Sequence, residues 1–182
     1  GPFRDLLEQR SMWDPVAIPL GSRPLDYLRL LADAPRALVI HGNYLVGDEH
    51  EFLAAHADRM TLVYCPRTHA YFAHPPYPLA ELLAAGVRVV LGTDSRASNP
   101  DLSLLGEIRY VAGKHAGVRV EEILKMATLS AAQALGCEHE CGSLAPGKLA
   151  NLVALPLHAN SLDESLALST KPTAIWHRGR EV

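Results

Sequence analysis

Apolar and polar positions change rhythm several times along this chain, and each change marks an element. PFRDLLEQR, opening on Pro2, predicts a short helix. RPLDYLRLLAD, with leucines at helical spacing and Pro24 near the first turn, predicts a second helix capped by Ser22. The pattern then shifts to short, nearly unbroken apolar runs: ALVIHG (37–42), TLVYCP (61–66) and RVVLGTD (88–94). Each reads as a strand, and each is followed by helical texture. DEHEFLAAHA follows the first, PLAELLAAG the second after a proline-rich loop, and DLSLLGEIRYVAGKHAG the third. Unbroken apolar strands alternating with helices mean parallel strands covered on both faces.

VEEILKMAT and LSAAQALG add two more helical stretches. Past Cys141 the texture turns to GSLAPGKLANLVALPL and TAIWHRGREV, which read as strands and turns of a small β-element. The expected organisation is an α/β unit over 1–141 and a β segment over 142–182. Three βα units fall short of a (β/α)8 barrel, which needs about 250 residues. The chain of 182 residues is therefore either a small open α/β sheet or the second half of a barrel.

Composition narrows the partners. With 48% apolar residues, 20% charged and a net charge of −3, the chain has an ordinary globular make-up and no basic footprint for nucleic acid. No apolar run approaches the roughly 18 residues of a membrane span. GPFRDLLEQR carries charges where a secretory leader would be apolar. Three cysteines without framework spacing fit a reducing compartment, so a cytoplasmic location is expected.

In parallel α/β architecture, chemistry collects at the C-terminal ends of strands. The first run ends in His41, the second in Tyr64-Cys65-Pro66 with His69 shortly after, and the third in Asp94. A histidine there can act as acid, base or metal ligand. An aspartate can ligate a cation or act as a base. Each also has a plainer reading: Asp94 as a loop cap, His41 as a core histidine bonded to a carbonyl. Their shared position at strand ends is what favours a site.

Other motifs carry less. CEHEC (137–141) offers two cysteines and a histidine but no second ligand pair, so it reads as an exposed helix-end loop rather than a zinc site. Ser95 lacks the G-x-S-x-G elbow. GSLAPGK has Leu149 where a phosphate loop needs a hydroxyl, and reads as a β-turn. His74 and the prolines of HPPYP shape a loop over the strand ends. His50, His56 and His115 fall on predicted helices and read as surface residues.

VIHGNYL, YCPRTHAYF, LLAAGVRVVLGTDSRASN, ATLSAAQALG and GSLAPGKLANLVAL, in that order, resemble the metal-dependent amidohydrolase superfamily. The branch is the cytosine deaminase-like group, with the chlorohydrolases and the guanine, adenosylhomocysteine and aminofutalosine deaminases. The similarity spans nearly the whole chain, and GTDS together with GSLAPGK is its specific part. The resemblance implies a distorted (β/α)8 barrel with a small β-sandwich. It also implies one zinc or iron ion held by an H-x-H pair, a fifth-strand His and an eighth-strand Asp. A Glu three residues beyond the fifth-strand His shuttles protons.

On that pattern His41 is similar to the sixth-strand His and Asp94 to the eighth-strand metal ligand, so both are expected to be catalytic. Residues 1–141 would be strands six to eight of the barrel with their helices, and 142–182 strands of the sandwich. The chain departs from the pattern in three ways. It contains no H-x-H and no H-x-x-E before His41; Tyr64 stands where many relatives carry His; and Asn151 replaces the usual Asp of the PGK-x-A-D-L segment. His69 is the nearby histidine expected to take over a substrate contact. The implied function is hydrolytic deamination of a nucleobase, nucleoside or related nitrogen heterocycle by metal-activated water. The isolated chain is expected to be inactive, to hold no metal alone, and to self-associate or depend on a missing N-terminal half. The alternative is a non-catalytic α/β binding or scaffold domain with Asp94 as a loop cap. A different hydrolase on an open sheet lacks a visible nucleophile–base pair.

Overall fold

The three apolar runs form one parallel sheet, β1 (Ala37–Ile40), β2 (Met60–Tyr64) and β3 (Val89–Leu91), in spatial order β1-β2-β3. The computed structural model describes residues 2–19, 21–158, 161–168 and 171–182. Register pairs Ala37 with Met60 and Ile40 with Val63, then Leu62 with Val89 and Tyr64 with Leu91. The C-terminal ends of all three strands therefore finish at one edge, which carries His41, Cys65 and the Gly92–Asp94 turn to the same rim.

Helices complete the layers. α1 (Pro2–Gln9) buries no residue, whereas α2 (Pro24–Leu31) buries Leu25 and Leu28. α3 (Gly47–Ala55) crosses from β1 to β2, and α4 (Pro66–Tyr71) and α5 (Leu79–Ala84) lie between β2 and β3. α6 (Leu104–Lys114), α7 (Val120–Ala127) and α8 (Leu129–Leu135) follow β3. The core gathers Leu62 and Val89 from the sheet with Leu53, Leu79, Val111, Ile123 and Met126 from the helices. β2 sits at its centre, while β1 turns Leu38 and Ile40 outward.

A second, antiparallel sheet joins β4 (Leu152–Ala154), β5 (Ala174–His177) and β6 (Arg180–Glu181). α9 (Leu162–Leu168) lies between β4 and β5 and places Leu166 in the main core. Arg109 of α6 anchors it with a hydrogen bond to the Ala167 carbonyl at 3.0 Å. Among the described residues, no strand pairs with the outer edge of β1 or of β3.

Four local expectations are corrected. Arg23, not Ser22, is the N-cap of α2: the Ser22 hydroxyl turns back to the Pro19 carbonyl at 2.7 Å, and Asp26 accepts the Arg23 N–H at 2.9 Å. Pro24 takes the first helical position, so the residue just before it must be the cap. α4 and α9 arise in stretches read as loop or β texture. Finally, His115 is no surface residue: it ends α6 and meets the Tyr64 hydroxyl at 3.2 Å through Nε2.

Candidate functional site

His41 and Asp94 each follow a strand, and both adopt left-handed backbone, with φ of 64° and 57°. That region is uncommon for any residue with a Cβ, and non-glycine residues held there cluster at functional sites. Gly42 continues the turn at φ 59°, where a Cβ would stand 2.5 Å from Leu62 Cδ1. Only glycine fits against the sheet at that point. The two turns bring His41 Nε2 to 3.6 Å from Asp94 Oδ2, above the end of the intervening strand β2. Both side chains are about one-third open to solvent.

The Asp94 carboxylate is held on both oxygens. Oδ1 accepts the Ser95 N–H at 2.8 Å, and Oδ2 accepts the Ser98 hydroxyl at 3.2 Å. Ser98 is buried and itself meets the Thr68 hydroxyl at 3.1 Å. One residue further, Asn99 donates to the Thr93 carbonyl at 2.8 Å and to Glu107 at 2.6 Å. Glu107, fully buried on α6, also receives Arg67 Nε at 2.6 Å and the Arg67 N–H at 3.0 Å. Arg67 reaches Asp101 as well, and holds that exposed carboxyl down to about 2. The loop bearing Asp94 is thus bolted to α4 and α6.

His41 is fixed from behind. Tyr77, buried and from the HPPYP loop, donates its hydroxyl to the His41 carbonyl at 3.0 Å. Its ring stacks on Tyr64 with centroids 3.9 Å apart. His69 lies in the same aromatic layer, edge-on to Tyr64 and Tyr77 and beside His74. It is buried, and its Nε2 has no hydrogen-bond partner. Burial pushes its pKa below the ordinary histidine value, with His74, His115 and His41 adding repulsion. His74 in turn bonds Tyr44, from the loop after β1, at 2.7 Å. The structure thus brings His41 and Asp94 directly together and connects His69 to His41 through Tyr77.

As cation donors, a carboxylate and an imidazole suit zinc or iron by type. Their number falls short. Among the described residues, no three His, Cys, Asp or Glu side chains gather as a metal site. Two open clefts of about 350 and 450 Å³ lie along Arg67 and Tyr110, and neither is lined by His41 or Asp94.

Sequence reasoning missed Ser98, Tyr77 and the Arg67–Asn99–Glu107 bolt. The first had a signal: a hydroxyl residue four positions after a strand-end Asp in a short loop is well placed to bond it. Tyr77 and Glu107 reach the site only through tertiary packing.

Residues 21–182 match the profile of the Amidohydrolase family. The chain is 34% identical over 157 residues to a 5-methylthioadenosine/S-adenosylhomocysteine deaminase of Moorella thermoacetica, covering 81% of this chain and 36% of that protein. It is 35% identical over 140 residues to the Pyrococcus furiosus protein of the same name, covering 73% and 32%. Among solved structures it is similar to an adenosine deaminase from Xanthomonas campestris with bound zinc, with a TM-score of 0.74 and 28% identity over 98% of this chain and 47% of that one. It also shares the fold of the Helicobacter pylori aminofutalosine deaminase, at a TM-score of 0.79 and 22% identity over 100% and 46%. The chain therefore spans about a third of the length of the curated relatives it matches.

Proposed function

The chain belongs to the amidohydrolase family, and on that premise we propose that it is the C-terminal part of a metal-dependent hydrolytic deaminase. Its substrate class is a nucleobase, nucleoside or related nitrogen heterocycle. β1, β2 and β3 are then strands six to eight of a (β/α)8 barrel, and β4–β6 are strands of the accompanying sandwich. The observation that carries the reading is the His41–Asp94 pair. Two left-handed residues from separate strands meet at 3.6 Å on the rim where parallel α/β folds place chemistry. The names of the relatives supply the reaction class.

Asp94 is the metal ligand of this chain. Ser95 and Ser98 fix the plane of its carboxylate and leave lone pairs on both oxygens for the cation. His41 faces the same oxygen and is placed to hydrogen-bond the attacking water or the developing tetrahedral centre. His69, its pKa lowered by burial and its Nε2 without a partner, is the proposed substrate contact. Zinc or iron, when bound, would lower the pKa of a water ligand towards neutrality. The remaining ligands are proposed to come from a segment outside these 182 residues, in keeping with the share of its relatives that the chain spans. A cytoplasmic location accords with three unbonded cysteines. No helix among the described residues is long and apolar enough to cross a membrane.

A second reading has its own observation: both Asp94 oxygens already bond within their loop, as a cap would. Asp94→Asn separates the two, made in the longest polypeptide that carries this sequence. Loss of bound metal and of ammonia release from adenosine-type nucleosides, with the unfolding midpoint retained, supports the deaminase. Loss of stability with metal retained supports the cap. In the 182-residue chain alone, the expected result is no turnover and no metal uptake that depends on Asp94.

A further inference from the structure

Soft donors gather at a second place, in the turn CEHEC that follows α8. Gly136 ends that helix in left-handed backbone at φ 71°, and a single helical turn comes next. The N–H groups of Glu140 and Cys141 both reach the Cys137 carbonyl at 3.0 Å. Residues four apart on such a turn share one side. Cys137 Sγ and Cys141 Sγ accordingly lie 3.4 Å apart, both half-buried. This departs from the exposed-loop reading of the sequence. The turn is also tied to the segment that leads into β4, because Leu149 donates to the Glu140 carbonyl at 2.8 Å.

We propose that Cys137 and Cys141 form a two-thiolate site for a soft, thiophilic metal ion. Distance decides between this and a disulfide. Sulfurs in a disulfide stand about 2.05 Å apart and need Cβ atoms about 3.5–4.5 Å apart. Positions i and i+4 of a helical turn keep their Cβ atoms about 5–6 Å apart. Closing the bond would break the Cys141 N–H to Cys137 carbonyl link that makes the turn. Two thiolates on a tetrahedral ion, at about 2.3 Å each, stand roughly 3.8 Å apart. The thiols are already within about 0.4 Å of that spacing.

Thiolate also selects soft ions over the hard cations that carboxylates prefer. On binding, two S–H bonds break, two metal–sulfur bonds form, and both protons pass to solvent. No third His, Cys, Asp or Glu among the described residues completes a metal group here, so the other positions are left to water. The Cys141 thiol, burial and, last, Glu138 push the Cys137 thiol up, so the ion must displace protons from the sulfurs as it binds. The third cysteine is an internal control: Cys65 is buried and its thiol is pushed up to about 12 by burial.

The test uses the reduced 182-residue chain titrated with Cd²⁺ without air, followed by the ultraviolet thiolate-to-metal charge-transfer band. Saturation at one ion per chain is expected, with two of the three thiols protected from a thiol reagent. Cys137→Ser and Cys141→Ser should each lose the band while keeping the parent circular dichroism. A band that survives in either variant overturns the proposal. So does a folded, reduced parent that gives no band, or one whose pair closes to a disulfide with its circular dichroism unchanged. His41 and Asp94 carry no sulfur, so this outcome is independent of the deaminase reading.

Discussion

His69 and His115 are the residues on which the fold acts most clearly through protonation. Both have pKa values lowered chiefly by burial, so the folded chain refuses protons that the unfolded chain accepts. The sign follows from linkage. Stability is full above the ordinary histidine pKa of about 6.5 and falls as pH drops from there towards the lowered values. The urea midpoint of the chain should therefore be lower at about pH 5.5 than at about pH 7.5, and His69→Phe should flatten the difference. A midpoint that rises on acidification would contradict the assignment of His69 as buried and neutral. The meeting of His41 with Asp94 was legible at this scale, because both stand at strand ends. Their left-handed backbone was not, because histidine and aspartate enter that region only where surrounding packing holds them.

Among the elements, the loop after β3 depends most on its neighbours. It presents Asp94 in a strained conformation, and the bolt is Glu107: buried, it accepts from Arg67 and Asn99 at 2.6 Å each. Removing it takes the buried carboxylate from the Arg67 guanidinium, whose side chain is only 16% exposed, leaving it the exposed Asp101, and frees Asn99 from α6. Breaking one side of such a buried pair costs about 3–5 kcal/mol. Glu107→Ala should lower stability by at most that amount in denaturant titrations, and by clearly more than Asp101→Ala, which removes an exposed partner of the same arginine. Equal losses in the two variants would refute the bolt. The strands and most helices could be read from the chain because each is a local run with one rhythm. α4 and α9 could not: PRTHAY opens on proline inside a proline-rich stretch, and LDESLAL follows β texture. What holds α9 is Leu166 in the core and Arg109 on its last turn, both set by distant residues.

At the scale of the whole molecule, the sheet is the unresolved problem of the fold. β2 is paired on both sides, but β1 and β3 each present an outer edge to which no described strand binds. Unpaired parallel edges are templates for other strands, and proteins usually cover, charge or interrupt them. Here β1 does the opposite, with Leu38 40% and Ile40 52% exposed. α1 and the segment after it add Phe3, Met12, Val16 and Ile18, all largely open. Such a surface is stable in water only if something covers it. If the chain is the later part of a barrel, the cover is the earlier part. The 182-residue chain alone should then sediment as a concentration-dependent mixture of species, and co-expression with a segment corresponding to the earlier half of its relatives should convert it to one discrete complex. Leu38→Lys together with Ile40→Lys should suppress self-association and also block that complex, because both bury the same apolar face of β1. A monomer at all concentrations, with the parent sequence intact, would mean that the sheet closes on its own and that the open-edge argument is wrong.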